Sequence, residues 1–248
     1  MKLWREISYK MAKFITVMSG KGGVGKTTTA VNTAHHIHHS HKEDVVVVEG
    51  NLSSPNLSLH LGQPHFPITL HDVIGKSQKV HKAIYKHETG LHIIPADVGV
   101  SSMKLVDFNE FQRALTELHA MTEYVVIDGS PGLGRESEQL LDATDELLIV
   151  TNPDEASIYD AKRLIDFASR KAVPIIGVVL NKYRWWSWHT LSRNEVEKLL
   201  GVPVITTVKH DRRFRKSLSK KKPYSHMYPR KQPSKAFKEI SSHITNRP

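Results

Sequence analysis

Two short clusters, far apart in the chain, hold residue types at spacings that suit phosphate chemistry. The first is Gly20-Lys21-Gly22-Gly23-Val24-Gly25-Lys26-Thr27, which fits glycine, four residues, glycine, lysine, Ser/Thr. Glycines lack a Cβ, so the backbone can curl around a polyphosphate with successive N–H groups facing inward. A helix starting near Lys26 adds unpaired N–H groups and the positive end of its dipole. Lys26 is placed to reach β- and γ-phosphates, and the Thr27 hydroxyl to ligate Mg²⁺, a hard ion that prefers oxygen. The second cluster is Asp128, which ends the apolar run Tyr124-Val125-Val126-Ile127. An acid at the end of such a strand holds Mg²⁺ through water in phosphate-loop sites. A bare Gly-rich turn or a polar strand end would each be a bland reading; the two together are not.

The elements that must position these residues read as alternating strands and helices. Phe14 to Met18 is a short β-rich run before the loop, and Thr28 to His39 reads as a helix after it. Asp44 to Glu49, DVVVVE, is a continuous β-branched run that suits a parallel strand covered on both faces. Further strands are expected at Leu91 to Ala96, Tyr124 to Asp128, Asp145 to Val150, Val173 to Leu180 and Pro203 to Val208. Helices are expected over Phe108 to Met121, Ser157 to Arg170, the stretch ending at Leu200, and Ser234 to Thr245. Leu70 to Gly75 and Val80 to Tyr85 read as short helical pieces. The alternation predicts right-handed βαβ units. The fold class is therefore α/β: a single-domain P-loop NTPase fold, with a mostly parallel twisted sheet and helices on both faces. Its nucleotide lies along the carboxyl edge of the sheet. Residues 1–11 read as an N-terminal extension, with Met11 an alternative start, and 12–248 as the domain.

Composition narrows the class. A chain of 248 residues buries a full core as one α/β domain. No apolar run approaches the ~20 residues that span a bilayer, and the charged start does not read as a secretory signal. There is no cysteine, which excludes disulfides and cysteine-held clusters and points to a reducing cytoplasm. The formal charge is +10. Residues 209–235 contain eleven Lys or Arg and one acid, Asp211, so this segment accounts for the whole excess. It suits a polyanion or anionic surface, or else is only a solvated basic face. His35, His38 and His39 share a helical face; they read either as a metal site or, more blandly, as a polar outer face near a helix C-terminus. Trp185, Trp186 and Trp188 read as a partner surface or as packing at a strand end.

The sequence KGGVGKTT resembles the deviant phosphate loop of the MinD and ParA group of ATPases. NLSSPNLSLHLG from Asn51, DGSPGLGRE from Asp128 and TNPDE from Thr151 extend the likeness, which is similar in detail to archaeal-type MinD. The resemblance implies ATP and Mg²⁺ as ligands, bound by Gly20, Lys21, Gly22, Gly23, Val24, Gly25, Lys26, Thr27 and Thr28. It implies that Lys21 reaches the phosphates of a second subunit in an ATP-dependent homodimer, and that Gly132 senses the γ-phosphate. Asn181 would bond the adenine. Thr27, Glu49 and Asp128 would lie at the metal, with Glu49 departing from the usual aspartate. Asn51 would orient the attacking water beside the catalytic Lys21 and Lys26. Asn cannot take a proton, so hydrolysis is expected to be slow and partner-stimulated. The implied output is spatial organisation: division-site placement or positioning of machinery, with an unidentified protein partner. Two alternatives stand beside it. One is a ParA-like partitioning ATPase that binds DNA without reading sequence through 209–235; the other is a nucleotide-bound adaptor that barely hydrolyses. The expected location is cytoplasmic, with a peripheral place at an anionic membrane or the nucleoid left open. The membrane-binding C-terminal tail of bacterial MinD has no counterpart after the last expected helix.

Overall fold

The computed structural model describes residues 11–62, 65–75, 77–99, 108–184 and 190–247. Its elements in chain order are β1 (Lys13–Ser19), α1 (Lys26–His39), β2 (Val45–Glu49), α2 (Leu57–Leu61), α3 (Leu70–Ile74), β3 (Tyr85–Lys86), β4 (His92–Ile94), α4 (Phe108–Glu117), β5 (Tyr124–Pro131) and α5 (Arg135–Asp142). Then follow β6 (Glu146–Thr151), α6 (Glu155–Arg170), β7 (Ile175–Tyr183), α7 (Arg193–Leu200), β8 (Val204–Lys209), α8 (Arg213–Ser219), α9 (Tyr224–Met227) and α10 (Gln232–Thr245).

Eight strands form one sheet in the order β3-β4-β2-β5-β1-β6-β7-β8. All pairs are parallel except β3 with β4. The β-branched run of β2 shows why its hydrophobicity is continuous. Val45 and Val47 enter the core beneath α1 and α10, whereas Val46 and Val48 enter the core on the other face with Phe111 and Leu115 of α4. A strand buried on both sides has no polar side to alternate with. The third core region, on the same face as α4, packs Ile158, Leu164 and Ile165 of α6 against β6 and β7.

Some local expectations are corrected. Tyr85 lies in a two-residue antiparallel edge strand, and only Val80–Ala83 forms a helical (3₁₀) turn. The helix from Phe108 ends at Glu117 and tightens into a 3₁₀ turn at Leu118–Ala120. The α1 histidines are not simply a polar outer face. His35 and His36 are buried, because α9 and α10 cover this side of α1. His36 bonds the hydroxyls of Ser40 at 2.9 Å and Ser234 at 3.1 Å. The His35 ring packs against those of His39 at 4.3 Å and His226 at 5.7 Å. No group of three or more His, Cys, Asp or Glu arranged to hold a metal is found among the described residues. Also among these residues, no helix is long and apolar enough to cross a membrane. Trp185, Trp186 and Trp188 lie outside the described residues, as do residues 1–10 of the extension.

Candidate active site

The loop between β1 and α1 is built by close approaches that exclude side chains. Gly25 is the N-cap of α1 with φ of +107°, in the left-handed region. A Cβ there would lie 2.1 Å from the Asn181 amide nitrogen. A Cβ on Gly20 would lie 2.2 Å from the Asp160 carbonyl oxygen of α6. The loop is thus wedged between the end of β7 and the backbone of α6, and α1 aims its free N–H groups across it.

Lys26 and Lys21 differ in exposure. Lys26 is 8% exposed, and its Nζ donates to Ser19 Oγ at 3.2 Å. Ser19 Oγ in turn donates to the Lys21 carbonyl at 2.6 Å. Burial lowers the Lys26 pKa, while the nearby charges of Asp128 and Glu49 act to raise it. Lys21 is exposed on the same loop.

Asp128 and Glu49 stand in register on neighbouring strands. Both are buried, at 1% and 0% exposure. Burial pushes the Asp128 carboxyl up to about 6, against the opposing pull of a hydrogen bond from Thr27 and the charge of Lys26. Its Oδ1 has no hydrogen-bond partner among the described residues. An orphaned carboxylate oxygen beside a threonine hydroxyl is a donor set that fits a hard cation. Glu49 differs. Its Oε1 accepts the Asn51 N–H at 3.1 Å, and its Oε2 accepts the N–H groups of Asn56 at 2.6 Å and Leu57 at 2.7 Å. Burial, then the Asp128 charge, raise its pKa against those three bonds.

The remaining expected residues surround the loop. Asn51 donates its side-chain amide to the Ser54 carbonyl at 2.6 Å. Gly132, with φ of +80°, donates its N–H to the Ser19 carbonyl at 2.9 Å, which ties the start of α5 to the phosphate loop. Asn181 donates to the Val24 carbonyl at 2.7 Å and accepts the Lys182 N–H at 2.8 Å. Its amide carries a second hydrogen, and the residue lines the cleft. Lys182 Nζ donates to the Gly23 carbonyl at 2.6 Å.

A cleft of about 980 Å³ opens from this loop. Lys26, Thr27, Asn51 and Asn181 line it together with Arg212 and Arg215. The basic segment is therefore a wall of the site, folded into α8 and α9. Phe214 stacks on Tyr224 at 4.2 Å, and Tyr224 donates its hydroxyl to Asp211 at 2.7 Å. The resemblance implied that this segment, after the last strand, runs past the adenine pocket, and its lining of the cleft agrees with that. Sequence reasoning passed over Lys182, the residue next to Asn181, and Glu136, which lies inside the DGSPGLGRE motif.

A glycine-wedged loop, a buried lysine and a strand-end aspartate on a parallel sheet define a P-loop NTPase. A family model described as ParA, the NUBPL iron-transfer P-loop NTPases, matches residues 10–245. The chain belongs to this family, the MinD/ParA group of P-loop ATPases. Two ATP-binding proteins of Methanocaldococcus jannaschii are 33% and 32% identical to it over 234 residues, 94% of this chain and 88% of each relative. The cell division ATPase MinD of Pyrococcus furiosus superposes with a TM-score of 0.89 at 27% identity, covering 95% of this chain and 99% of that one. The septum site-determining protein MinD of Pyrococcus horikoshii, solved with Mg-ADP, gives 0.88 at 26% identity, with 94% and 96% covered.

Proposed function

We propose that this protein is a MinD-type ATPase that binds Mg-ATP, dimerises around it and uses the dimer as a switch in spatial organisation. The observation that carries the reading is the pair of lysines on one loop, Lys26 buried and Lys21 exposed. One is placed to neutralise a phosphate held by its own subunit. The other is free to reach a phosphate held by a second copy, as a charge supplied in trans.

The residues divide the work. The loop N–H groups and the N-terminus of α1 bind the phosphates. Thr27 and Asp128 would hold Mg²⁺, whose chemistry is to neutralise phosphate charge. Asn51 orients water without accepting its proton, so turnover is slow and awaits a protein partner. Asn181 offers its second amide hydrogen to the base.

Size-exclusion chromatography with ATP, ADP or no nucleotide tests the reading. Wild type should elute as a dimer with ATP alone, and Lys21→Ala as a monomer throughout. A wild-type protein that stays monomeric with ATP would overturn the switch.

A second reading has its own observation. Arg212 and Arg215 are exposed and line the cleft, with Arg213 and Lys216 exposed beside them, and such a face could contact DNA phosphates without sequence readout. Binding to arbitrary duplex DNA that weakens steeply with salt would favour it.

A further inference from the structure

The loop from Asn51 to Leu57 is held by two carboxylates approaching from different elements. Glu49, at the end of β2, accepts the N–H groups of Asn51, Asn56 and Leu57. Glu136, in the first turn of α5, accepts the Leu52 N–H at 2.6 Å and the Ser53 N–H at 3.1 Å on Oε1. Its Oε2 accepts the Ser53 hydroxyl at 3.0 Å. Five backbone N–H groups of one short loop therefore end on two acids. Position 55 is proline and has no N–H to place. Within the loop, Asn51 and Asn56 both donate to the Ser54 carbonyl, at 2.6 and 2.7 Å.

A loop so held is ordered before any ligand arrives. The length of Glu49 matters here. Its carboxylate spans from the Asn51 N–H to the first N–H groups of α2, and an aspartate at that position would stop one methylene short. Both Glu49 oxygens are committed to the loop, whereas the Asp128 Oδ1 is left without a partner.

We infer that Glu49 and Glu136 are positioning residues that clamp the 51–57 loop and so hold Asn51 at a fixed place beside the phosphate loop. This rests on the ATPase reading above for the role of Asn51. The clamp also joins the loop to α5. Gly132, three residues before α5, is bonded to the Ser19 carbonyl of the phosphate-loop strand. A continuous set of contacts thus runs Ser19, Gly132, α5, Glu136, Leu52 and Ser53, Asn51.

Amide hydrogen exchange of the full chain, followed by NMR without nucleotide, tests the clamp directly. Glu136→Gln should accelerate exchange at Leu52 and Ser53 by roughly tenfold or more, and Glu49→Asp should do the same at Asn56 and Leu57. Unchanged exchange in both variants would overturn it. Metal binding is measured separately, by titrating Mg²⁺ into each variant with ADP present. As a clamp, Glu49→Gln leaves the half-saturating Mg²⁺ concentration within about twofold of wild type, and single-turnover ATP cleavage slows while nucleotide affinity holds. As a metal ligand, Glu49→Gln would raise the Mg²⁺ requirement by roughly tenfold, and Glu49→Asp would preserve it. That pattern would also overturn the inference. If wild type bound no Mg-ADP at all, the ATPase reading would fall, and the nucleotide-free exchange would still decide whether the clamp exists.

Discussion

The Asn181 amide reaches 2.7 Å from the Val24 carbonyl, so the end of β7 and the crest of the phosphate loop are held as one unit. The contact is possible only because Gly25 has no Cβ, since one would sit 2.1 Å from that same nitrogen. With Asn181 in its proposed role at the base, base and phosphate binding would share a support, and changes on either side should be felt on both.

Gly20→Ala and Gly25→Ala should both destabilise the nucleotide-free protein. The first forces a Cβ to 2.2 Å from a helix carbonyl of α6, which cannot step aside as a flexible side chain would. A cost of about 1–3 kcal/mol is expected for such overpacking. The second adds left-handed strain of about 1–2 kcal/mol to its clash. Urea unfolding read by circular dichroism checks both, with Gly22→Ala as a control because open space surrounds that Cβ.

Lys26→Gln and Lys21→Ala should fail differently. Loss of the buried lysine should weaken binding of a fluorescent ADP analogue by tenfold or more, about 1.4 kcal/mol or above. Loss of the exposed lysine should leave ADP binding near wild type and abolish only the ATP-dependent dimer. Equal losses of ADP binding in the two variants would contradict their separate roles.

Asp128→Asn should remove the Mg²⁺ dependence of nucleotide binding. Its Oδ1 has no partner among the described residues, so the amide displaces no protein hydrogen bond at that atom. Relief of a buried carboxylate should also leave the nucleotide-free protein as stable as wild type or more so. Calorimetric titration with and without Mg²⁺, alongside thermal unfolding, reads the two effects separately.

The share of stability contributed by His35 and His36 should fall as pH drops from about 6.5 toward 4. The fall is opposed in part by Asp128 and Glu49, whose raised carboxyls take up protons in the folded chain first. Burial holds the His36 pKa down at about 4 and that of His35 down at about 3, against an ordinary value of 6.5. Across that window the unfolded chain takes up protons at these histidines that the folded chain refuses, so through them acid favours unfolding. The loss should amount to a few kcal/mol, and His36→Gln should flatten it. Unfolding free energies measured at pH 7.0, 5.5 and 4.5 would show the slope or its absence.

Much of the fold was legible because apolar runs separated by glycine and proline turns mark parallel strands directly. DVVVVE declared burial on both faces before any neighbour was known. The parts that were not legible depend on tertiary packing. His35 looked like a surface residue because nothing local reveals that α9 and α10 return over α1. Tyr85 pairs with β4 through an edge that spans two residues, too short for any period to register. At the site, the glycines, Lys26, Thr27 and Asp128 were readable from spacing. The partners of Glu49 were not, because the N–H groups it binds lie up to eight residues away on a loop without a repeating pattern.

Helix α8 has one side in the cleft and the other in solvent, and β8 and α9 hold it at both ends. A floppy tail of the same composition would spread its cations as a diffuse cloud. Here the backbone of α8 sets the points from which Arg213, Arg215 and Lys216 project, like teeth on a comb. Any polyanion must match that spacing to engage several teeth at once, so shape as well as charge governs what this surface can hold.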